Sequence, residues 1–386
     1  MANLASPYSS YSDTSAPYTQ KRIVEDYIAM LDPSDAPLVD LIGGLDGGSS
    51  KFQFTGKGKV VEWLEDTLAP LTGAMSVTGN GSTVATTSVT ALTVADGNML
   101  QPGHILLVGA ELMWVSEVTP SSGAITVTRA IAGTSVASFA STAAFSVVGM
   151  ARLEGDDSDS IGYTDVTGNS NYTQIFHKEL KLTGTAMAID EYGYSDPYQY
   201  QAAKSIPEMM RLIERALFYQ KSGSAGSSTT PRYMGGLQAF ISTNNYASGA
   251  TLSVAKIEDA VELAYNAGGG GDYVAVVAPS TYQVVKNLYD SSAFVRYAPE
   301  QSTFGTLVDK IITPFGNVTF VIDRWCPSTL IPILKTENVG MVTLRPWQVE
   351  DLAKSGDYQK TQLLGEFTLA MRLAKSHALL TAVSAS

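Results

Sequence analysis

The side chains that could bind a metal or attack a substrate are few in this chain and stand far apart. Its three histidines, His104, His177 and His377, are not at metal-ligand spacing from one another or from the single cysteine, Cys326. A zinc site needs clustered nitrogen and sulfur ligands, so the sequence predicts no metal site. His104 falls in a predicted β turn, where a surface position is expected. A lone cysteine among aromatic and proline neighbours is more often a buried thiol than a nucleophile.

Two short motifs approach catalytic or nucleotide-binding signatures but lack essential residues. Residues 133–137, Gly-Thr-Ser-Val-Ala, lack the second glycine of a nucleophile elbow and have no predicted helix after them. The glycine run at 268–271 follows a predicted helix and precedes a strand, whereas a phosphate-binding loop runs from strand to helix and ends in Gly-Lys-Ser or Gly-Lys-Thr. The next residue, Asp272, would repel phosphate. We therefore expect a mobile connection here, with no catalytic residue and no cofactor site in the chain.

Carboxylates concentrate in residues 154–159, Glu-Gly-Asp-Asp-Ser-Asp. Calcium prefers such oxygens, but the spacing lacks the glycine and the distal glutamate of an EF-hand, so a solvated loop is expected. A hydrolase that uses this loop is one alternative function, and it predicts turnover that is lost on Asp156→Ala. Adjacent carboxylates also occur at 65–66 and 190–191, but neighbours in a strand point apart and define no acid–base site.

Composition and charge fit a protein that covers much of its surface with partners. Of its 386 residues, 45% are hydrophobic and 16% are charged, whereas about a quarter is usual for charged residues. The net charge of −12 and the lack of a lysine or arginine run give no drive toward nucleic acid. One cysteine allows no internal disulfide and indicates a reducing compartment, such as a bacterial cytoplasm. We expect no signal peptide and no membrane span.

The first part of the chain predicts protruding segments rather than a compact core. Residues 1–20 are rich in serine and tyrosine and indicate an extended arm. Residues 21–31 carry a helical apolar pattern, which ends at an Asp-Pro pair. Residues 37–44 then predict a short apolar turn.

Two β-rich segments follow. The aromatic residues Phe52, Phe54 and Trp63 stand at alternating positions in 51–63, which predicts a long β-hairpin arm. Residues 76–149 contain only four charged side chains, and turn signals separate their short apolar runs. This pattern predicts a small all-β barrel or sandwich inserted into the arm, with strands at 88–94, 105–108, 112–118, 124–128 and 145–148.

The second half predicts a long helix, a mixed domain and returning strands. Asp196 and Pro197 indicate a helix start, the apolar periodicity continues to residue 219, and Pro207 should kink the helix. A compact α/β domain is predicted from alternating elements, namely helices at 254–267 and 280–289 and strands at 273–278, 318–322 and 330–334. Residues 361–384 alternate and indicate long strands that return to the first domain.

Four stretches and their order resemble the capsid proteins of tailed bacteriophages. Residues 32–43 look like the region after the first helix in many of these proteins. Three further stretches resemble the subfamily related to phage SU10, namely 171–176 (Asn-Tyr-Thr-Gln-Ile-Phe), 211–219 (Arg-Leu-Ile-Glu-Arg-Ala-Leu-Phe-Tyr) and 232–237 (Arg-Tyr-Met-Gly-Gly-Leu). The element order is similar, over nearly the whole chain, to the capsid fold named after phage Hong Kong 97 (HK97).

The resemblance implies an α+β, HK97-like capsid fold with an inserted small all-β domain. Its parts would be an N-terminal arm (1–20), the first helix and turn of the peripheral region (21–50), the extended loop with peripheral strands (51–75 and 150–190), the inserted β-barrel-like domain (76–149), the spine helix (191–230), the axial α/β domain (231–345) and the returning peripheral strands (346–386).

The same resemblance implies a structural, non-enzymatic function as a major capsid protein. Copies would form hexamers and pentamers of an icosahedral virion shell, made in the bacterial host cytoplasm and enclosing DNA without sequence-specific binding. Portal, scaffolding and decoration proteins are candidate partners, and no cofactor is implied. Because aromatic residues dominate interface energetics, we expect Phe52, Phe54 and Trp63 to contact neighbouring subunits; packing within their own chain is the alternative. We also expect the glycine run at 268–271 to lie near a capsomer centre.

Two other structural functions remain open at this point. A tail-tube or decoration protein would also be a phage structural part, although a long kinked helix and a mixed domain argue against a tube. An encapsulin-like nanocompartment shell protein resembles the same fold, and its contents, DNA or a cargo enzyme, would distinguish it.

Overall fold

The computed structural model describes residues 35–45, 52, 57–76, 83–84, 90–155, 164–189, 196–247, 249, 251–291 and 310–383. The chain divides into two compact units: a larger unit, Met1–Trp63 with Ser170–Ser386, and a barrel unit, Leu64–Asn169. The barrel unit therefore extends beyond the predicted 76–149 segment on both sides. No helix in the described ranges is both long and apolar enough to span a membrane.

The element bounds are as follows. The helices are α1 (Pro37–Leu41), α2 (Gly184–Ala188), α3 (Pro197–Tyr219), α4 (Leu237–Phe240), α5 (Val254–Asn266) and α6 (Pro279–Ser291). The strands are β1 (Val60–Glu65), β2 (Thr72–Ala74), β3 (Thr83–Val84), β4 (Ala91–Thr93), β5 (His104–Val108), β6 (Glu111–Thr119), β7 (Ala124–Thr128), β8 (Phe139–Ala140), β9 (Ala144–Met150), β10 (Thr167–Tyr172), β11 (Gln174–Thr183), β12 (Asn245–Ala247), β13 (Asp272–Val277), β14 (Lys310–Thr313), β15 (Gly316–Ile322), β16 (Ile331–Leu334), β17 (Val339–Asp351), β18 (Tyr358–Met371) and β19 (Ala378–Thr381).

Helix α3 is the central helix of the larger unit, and its start follows from its sequence. The Asp196 side chain accepts hydrogen bonds from the backbone N–H groups of Tyr198 (2.9 Å) and Gln199 (3.3 Å), and Pro197 occupies the first turn. The helix continues through Pro207 to Tyr219. One face is buried in the main core, through Met209, Ile213, Leu217 and Phe218. The predicted helix at 196–219 is confirmed.

Two sheets complete the larger unit. One has three antiparallel strands in the order β11-β18-β17, and the second has six strands in the order β12-β19-β16-β13-β15-β14. Strand β13 is a continuous apolar run at the centre of the second sheet, and α5 and α6 supply apolar residues to the core beside it. The predicted helices at 254–267 and 280–289 and the strands at 273–278, 318–322 and 330–334 are confirmed.

Several predicted elements come out differently or lie outside the described residues. Residues 37–44 form the short helix α1 and a turn, not a turn alone. Strand β1 pairs with β10, more than a hundred residues later, so no local hairpin forms at 51–63 among the described residues. The returning strands divide at Leu373, whose φ of 50° ends β18 before β19 begins. The boundary expected between 345 and 346 falls inside β17. The arm at 1–20 and the helix at 21–31 lie outside the described ranges.

The barrel unit contains a small closed barrel. Its six strands follow the order β2-β9-β5-β6-β7-β4, and the two edges meet because Met75 bridges Val94, the Ser76 N–H donates to the Thr93 carbonyl (2.8 Å) and the Ala95 N–H donates to the carbonyl of Ala74. Closure removes the exposed sheet edges that invite aggregation. Its interior is mainly apolar, with Met75, Leu106, Met113, Val115 and Phe145 among its buried members. The all-β prediction for this segment is confirmed.

One buried ion pair fixes the long loop after β7. Glu111, fully buried, binds Arg129 through both carboxylate oxygens, at 3.0 Å (Nε) and 2.7 Å (Nη2). The same carboxylate accepts the backbone N–H groups of Ala130 (3.2 Å) and Ala137 (2.9 Å). These contacts keep the Glu111 pKa low although burial alone would raise it. Ala130 and Ala132 have positive φ of 57° and 54°, a strained conformation that such anchoring stabilises.

Candidate functional site

Three of the capsid-like motifs meet at one place in the larger unit, which we call the motif junction. Asn171, at the end of β10, is buried and uses its whole amide: Nδ2 donates to the carbonyls of Gly235 (3.0 Å) and Leu369 (2.7 Å). Its Oδ1 accepts the N–H groups of Gly235 (2.8 Å) and Tyr172 (2.9 Å). This side chain therefore ties the 232–237 motif to β10 and to β18. A buried amide with every hydrogen bond made holds one geometry.

The end of α3 joins the same junction. Gln174 Oε1 accepts from the Gln220 side chain (2.8 Å), just after the helix, and from the Met234 N–H (3.2 Å). Gly236 lies directly against the helix end, and a Cβ there would stand 2.9 Å from the Ala216 carbonyl oxygen and closer still to that of Leu217. Only glycine allows this approach. The motifs at 171–176, 211–219 and 232–237 thus form one packed structure.

Glu366 supplies the charge at the centre of the motif junction. Its carboxylate, 3% exposed on β18, contacts Arg232 through Oε1 and Arg345 Nε through Oε2 (2.9 Å). Thr173 Oγ1 donates to the same carboxylate (2.7 Å), while Arg232 Nε donates to the Thr173 carbonyl (2.6 Å). Each oxygen of the buried carboxylate is paired with an arginine, so Glu366 is not a free base. The network holds the connection between β10 and β11 against β17 and β18.

A second buried polar cluster attaches α1 to α3. Glu214 on α3 is fully buried, and its two carboxyl oxygens accept the N–H groups of Leu38 (2.7 Å) and Val39 (3.0 Å). Its carboxyl also hydrogen-bonds Asp323, which follows β15 and accepts the Trp325 N–H through Oδ1 (2.7 Å). Burial, with the adjacent Asp323 carboxyl, raises the pKa of Glu214 to about 9. Glu214 therefore keeps its proton near neutral pH and donates it to Asp323.

The burial of Glu214 and Asp323 was not predicted from the sequence. A glutamate within a predicted helix is placed on the solvent-facing side by default. Burial also raises the pKa of Asp323, and the negative charge of Asp35 adds to that effect. Asp323 Oδ2 is buried and has no further hydrogen-bond partner within the described ranges. Glu214 lies three and four residues before Leu217 and Phe218, on the apolar face of α3, and this spacing was the available signal.

Two of the three residues expected to contact neighbouring subunits, Phe52 and Trp63, are buried by their own chain. The rings of Trp63 (5% exposed) and Phe240 are tilted by 51°, with 5.6 Å between their centroids. Arg372 Cζ lies 4.1 Å from the ring centroid of Phe52 (7% exposed). Phe52 and Trp63 belong to one small apolar cluster of the larger unit. This is the intrachain alternative, and inter-subunit contact by Phe52 and Trp63 stays a prediction. Phe54 lies outside the described ranges.

Several large apolar side chains of the barrel unit also lie exposed, on the segments beside the barrel and at the end of β9. We call them the exposed apolar set: Leu64, Leu68, Leu71, Val148, Met150, Leu153 and Val166, each 51–95% exposed. Sequence reasoning missed them because it ranked aromatic residues above leucine. The alternation in Trp63-Leu64-Glu65 does place Trp63 inward and Leu64 outward on β1.

His104, His377 and the cysteine occupy structural positions, whereas His177 on β11 is exposed. His104 Nδ1 accepts the Gln101 N–H (3.2 Å), and partial burial lowers its pKa. His377 is fully buried, accepts the Lys335 N–H at Nδ1 (3.0 Å) and has a pKa lowered by burial to about 4. Cys326 is buried, and burial raises the pKa of its thiol, as expected for an inert cysteine. No group of three metal-ligating side chains occurs within the described part of the chain.

Comparison with known proteins agrees with this geometry. A model of the SU10 major capsid protein family matches residues 10–384. The major capsid protein of Escherichia phage Phieco32 is 23% identical over an alignment of 278 residues that covers 58% of this chain and 78% of that protein. The solved capsid asymmetric unit of cyanophage A-1(L) is similar over 95% of this chain and 98% of that chain, with a TM-score of 0.54 and 12% identity.

That structural likeness, at 12% identity, bears on the fold alone. It confirms the α+β, HK97-like capsid fold. The family match covers nearly the whole sequence and favours the capsid interpretation over a tail, decoration or nanocompartment protein. The chain belongs to the SU10 major capsid protein family.

Proposed function

We propose that this major capsid protein assembles through hexamers and pentamers into an icosahedral head shell that encloses phage DNA, and that the exposed apolar set forms contacts between copies. The supporting observation is the exposure of Leu64 (76%), Leu68 (95%) and Leu71 (66%). Exposed clusters of large apolar side chains mark interaction sites in soluble proteins. Stable interfaces bury about 1,600 Å² in total, and a shell subunit adds such contacts over several neighbours.

The rigid parts of the larger unit serve this function as a frame. The motif junction fixes β10, the end of α3 and the β11-β18-β17 sheet to one another. A frame of this kind keeps the contact residues in the same geometry in every copy. In this proposal residues 1–20 act as an arm, 51–75 with 150–190 as the extended loop and the barrel unit as an outward or bridging module, while Phe52, Phe54 and Trp63 add contacts on assembly.

The remaining parts of the proposal concern partners and place. The shell is the virion capsid, subunits are made in the host cytoplasm, and portal, scaffolding or decoration proteins join the same particle. The family is one of structural proteins, and the pairing of the Glu366 carboxylate with two arginines at the motif junction supports a role without catalysis. Packaged DNA is held without sequence-specific contacts.

A double substitution tests the contact surface. Leu68→Ser with Leu71→Ser removes two apolar side chains, each worth about 1.5–3 kcal/mol when buried, so association at each contact should weaken by about 100-fold or more. Analytical ultracentrifugation and negative-stain microscopy should show shells or capsomers for the wild type and free subunits for the variant.

The neighbouring Thr67→Ser serves as the matched control, because Thr67 is exposed on the same segment and loses no large apolar group. Circular dichroism should show the same fold for all three proteins. Normal shell formation by the double variant, at wild-type concentration, would refute the assignment of this surface.

A further inference from the structure

Helix α3 carries a row of positive charge on an acidic protein. Lys204, Glu208, Arg211 and Arg215 are spaced by four, three and four residues, which places them on one stripe of the helix. Lys178, on β11, forms an ion pair with Glu208. Four cations and one carboxylate leave a local charge of +3, although the whole chain carries −12. We call these five residues the basic stripe.

The stripe's three unpaired cations contact aromatic rings rather than carboxylates. Lys204 Nζ lies 5.4 Å from the ring centroid of Tyr200, Arg211 Cζ lies 5.7 Å from Trp325, and Arg215 Cζ lies 5.6 Å from Tyr219. An aromatic face orients a cation without neutralising it. None of the ion pairs found within the described residues involves Lys204, Arg211 or Arg215. Their N–H groups therefore stay available to an anion.

Two cations of the stripe, Lys204 and Arg211, act electrostatically on a third, Lys178. Burial lowers the pKa of Lys178, and the positive charges of Lys204 and Arg211 lower it further. The nearby acids are already engaged: Asp35 pairs with Arg324 (3.5 Å), and Glu179 pairs with Lys360 (3.1 Å). Repulsion among like charges is relieved when an anion binds them.

We propose that the basic stripe contacts the phosphate backbone of double-stranded DNA inside the shell. This inference rests on the proposed function, since it names the surface that meets the enclosed DNA. From Lys204 to Arg215 the helix rises about 16 Å, which spans four to five phosphates of one strand at about 3.4 Å each. A straight row of cations matches a regular linear polyanion. Side chains that reach only phosphates read no sequence.

The contact is weak for one subunit and additive over many. A net charge of +3 neutralises about three phosphates, so the logarithm of the binding constant should fall by about 2.7 per tenfold rise in salt, which is about 40-fold between 50 and 200 mM. The acidity of the rest of the chain lowers affinity further. Such weak, repeated contacts would position DNA along the wall without fixing it.

Fluorescence anisotropy of a labelled 20-base-pair duplex, titrated with the full-length protein below the concentration at which shells form, tests the proposal at 50, 100 and 200 mM NaCl. The test variant combines Lys204→Gln, Arg211→Gln and Arg215→Gln. The matched control combines Lys310→Gln, Lys354→Gln and Lys375→Gln, three exposed cations that lie outside α3 and β11. Both variants lose three positive charges, so bulk charge changes equally.

The wild type and the control should bind the duplex with the steep salt dependence, while the stripe variant should lose at least tenfold in affinity at 50 mM and most of its salt slope. Equal loss in both variants, or no duplex binding by the wild type at 50 mM, would overturn the proposal. So would a stripe variant that binds DNA normally but no longer associates with itself, because the stripe would then face an acidic surface of a second copy. Negative-stain images of the same variants separate the two levels: shells that form normally without a DNA contact leave the proposed function intact.

Discussion

Replacing Glu214 by glutamine removes an acid that the fold buries completely. In the folded chain its carboxyl accepts the N–H groups of Leu38 and Val39 and shares a hydrogen bond with Asp323. Burial is the first reason that its pKa rises from 4.5 to about 9. Ionisation would place two negative charges side by side in the core, between α1 and α3.

The sign and size of the pH effect follow from this shift. Because the folded pKa lies above the unfolded one, the stabilisation is fully present below about pH 4.5 and is lost as the pH rises through about 9. Between these limits the free energy of unfolding falls by about 1.4 kcal/mol per pH unit. Because the slope halves as the pH reaches the folded pKa, the wild type should lose about 2 kcal/mol from pH 7 to pH 9. The Glu214→Gln variant, which cannot ionise, should not show this loss.

Guanidinium unfolding followed by circular dichroism at pH 7, 8 and 9, at constant ionic strength, measures the difference. Glu337→Gln makes the same change at an exposed position and is the control. It should follow the wild-type pH dependence. If the wild type and Glu214→Gln show parallel pH dependence over this range, Glu214 is already ionised in the folded chain and the shared proton does not exist.

Three further perturbations have defined outcomes. Burial lowers the pKa of His377 to about 4. The neutral imidazole therefore contributes about 3 kcal/mol to the free energy of unfolding above about pH 6.5, and this contribution is lost as the pH falls toward 4. The free energy of unfolding of His377→Gln should depend less on pH over this range. Glu111→Gln leaves Arg129 buried with a weakened partner and should cost about 3–5 kcal/mol, seen as proteolysis within the barrel unit while the larger unit resists. Glu366→Gln should cost less, about 2–3 kcal/mol, because one of its two arginines is half exposed; thermal unfolding checks this value.

Local signals in the sequence were sufficient for the elements that depend on neighbouring residues. The cap at Asp196 and the apolar face of α3 predicted the long helix. The turn-rich stretch at 76–149, with few charged residues, predicted the all-β unit. The order of the motifs at 171–176 and 232–237 carried the family. These features need only short-range propensity and periodicity.

Long-range contacts set what the sequence did not predict. β1 pairs with β10 because about a hundred residues between them fold separately as a barrel, and no local pattern at 51–63 contains that information. Phe52 and Trp63 turn inward because Phe240 and Ala370 lie beside them in the folded chain. Glu214 is buried only because the α1 N–H groups and Asp323 arrive from distant segments.

The division between polar joints and apolar surfaces suits a subunit that must repeat its shape in many copies. Apolar contact is non-directional, so a junction built from leucines alone would let β10 shift against β18. The four hydrogen bonds of Asn171 and the paired charges of Glu366 are directional and specify one arrangement. Between copies the proposed shell reverses the requirement, because its five-fold and six-fold surroundings would differ slightly and the contact would have to tolerate both. We therefore expect the same assembly to need both features. Directional polar contacts fix the fold inside each subunit, and the adaptable leucines of the exposed apolar set form the contacts at its borders.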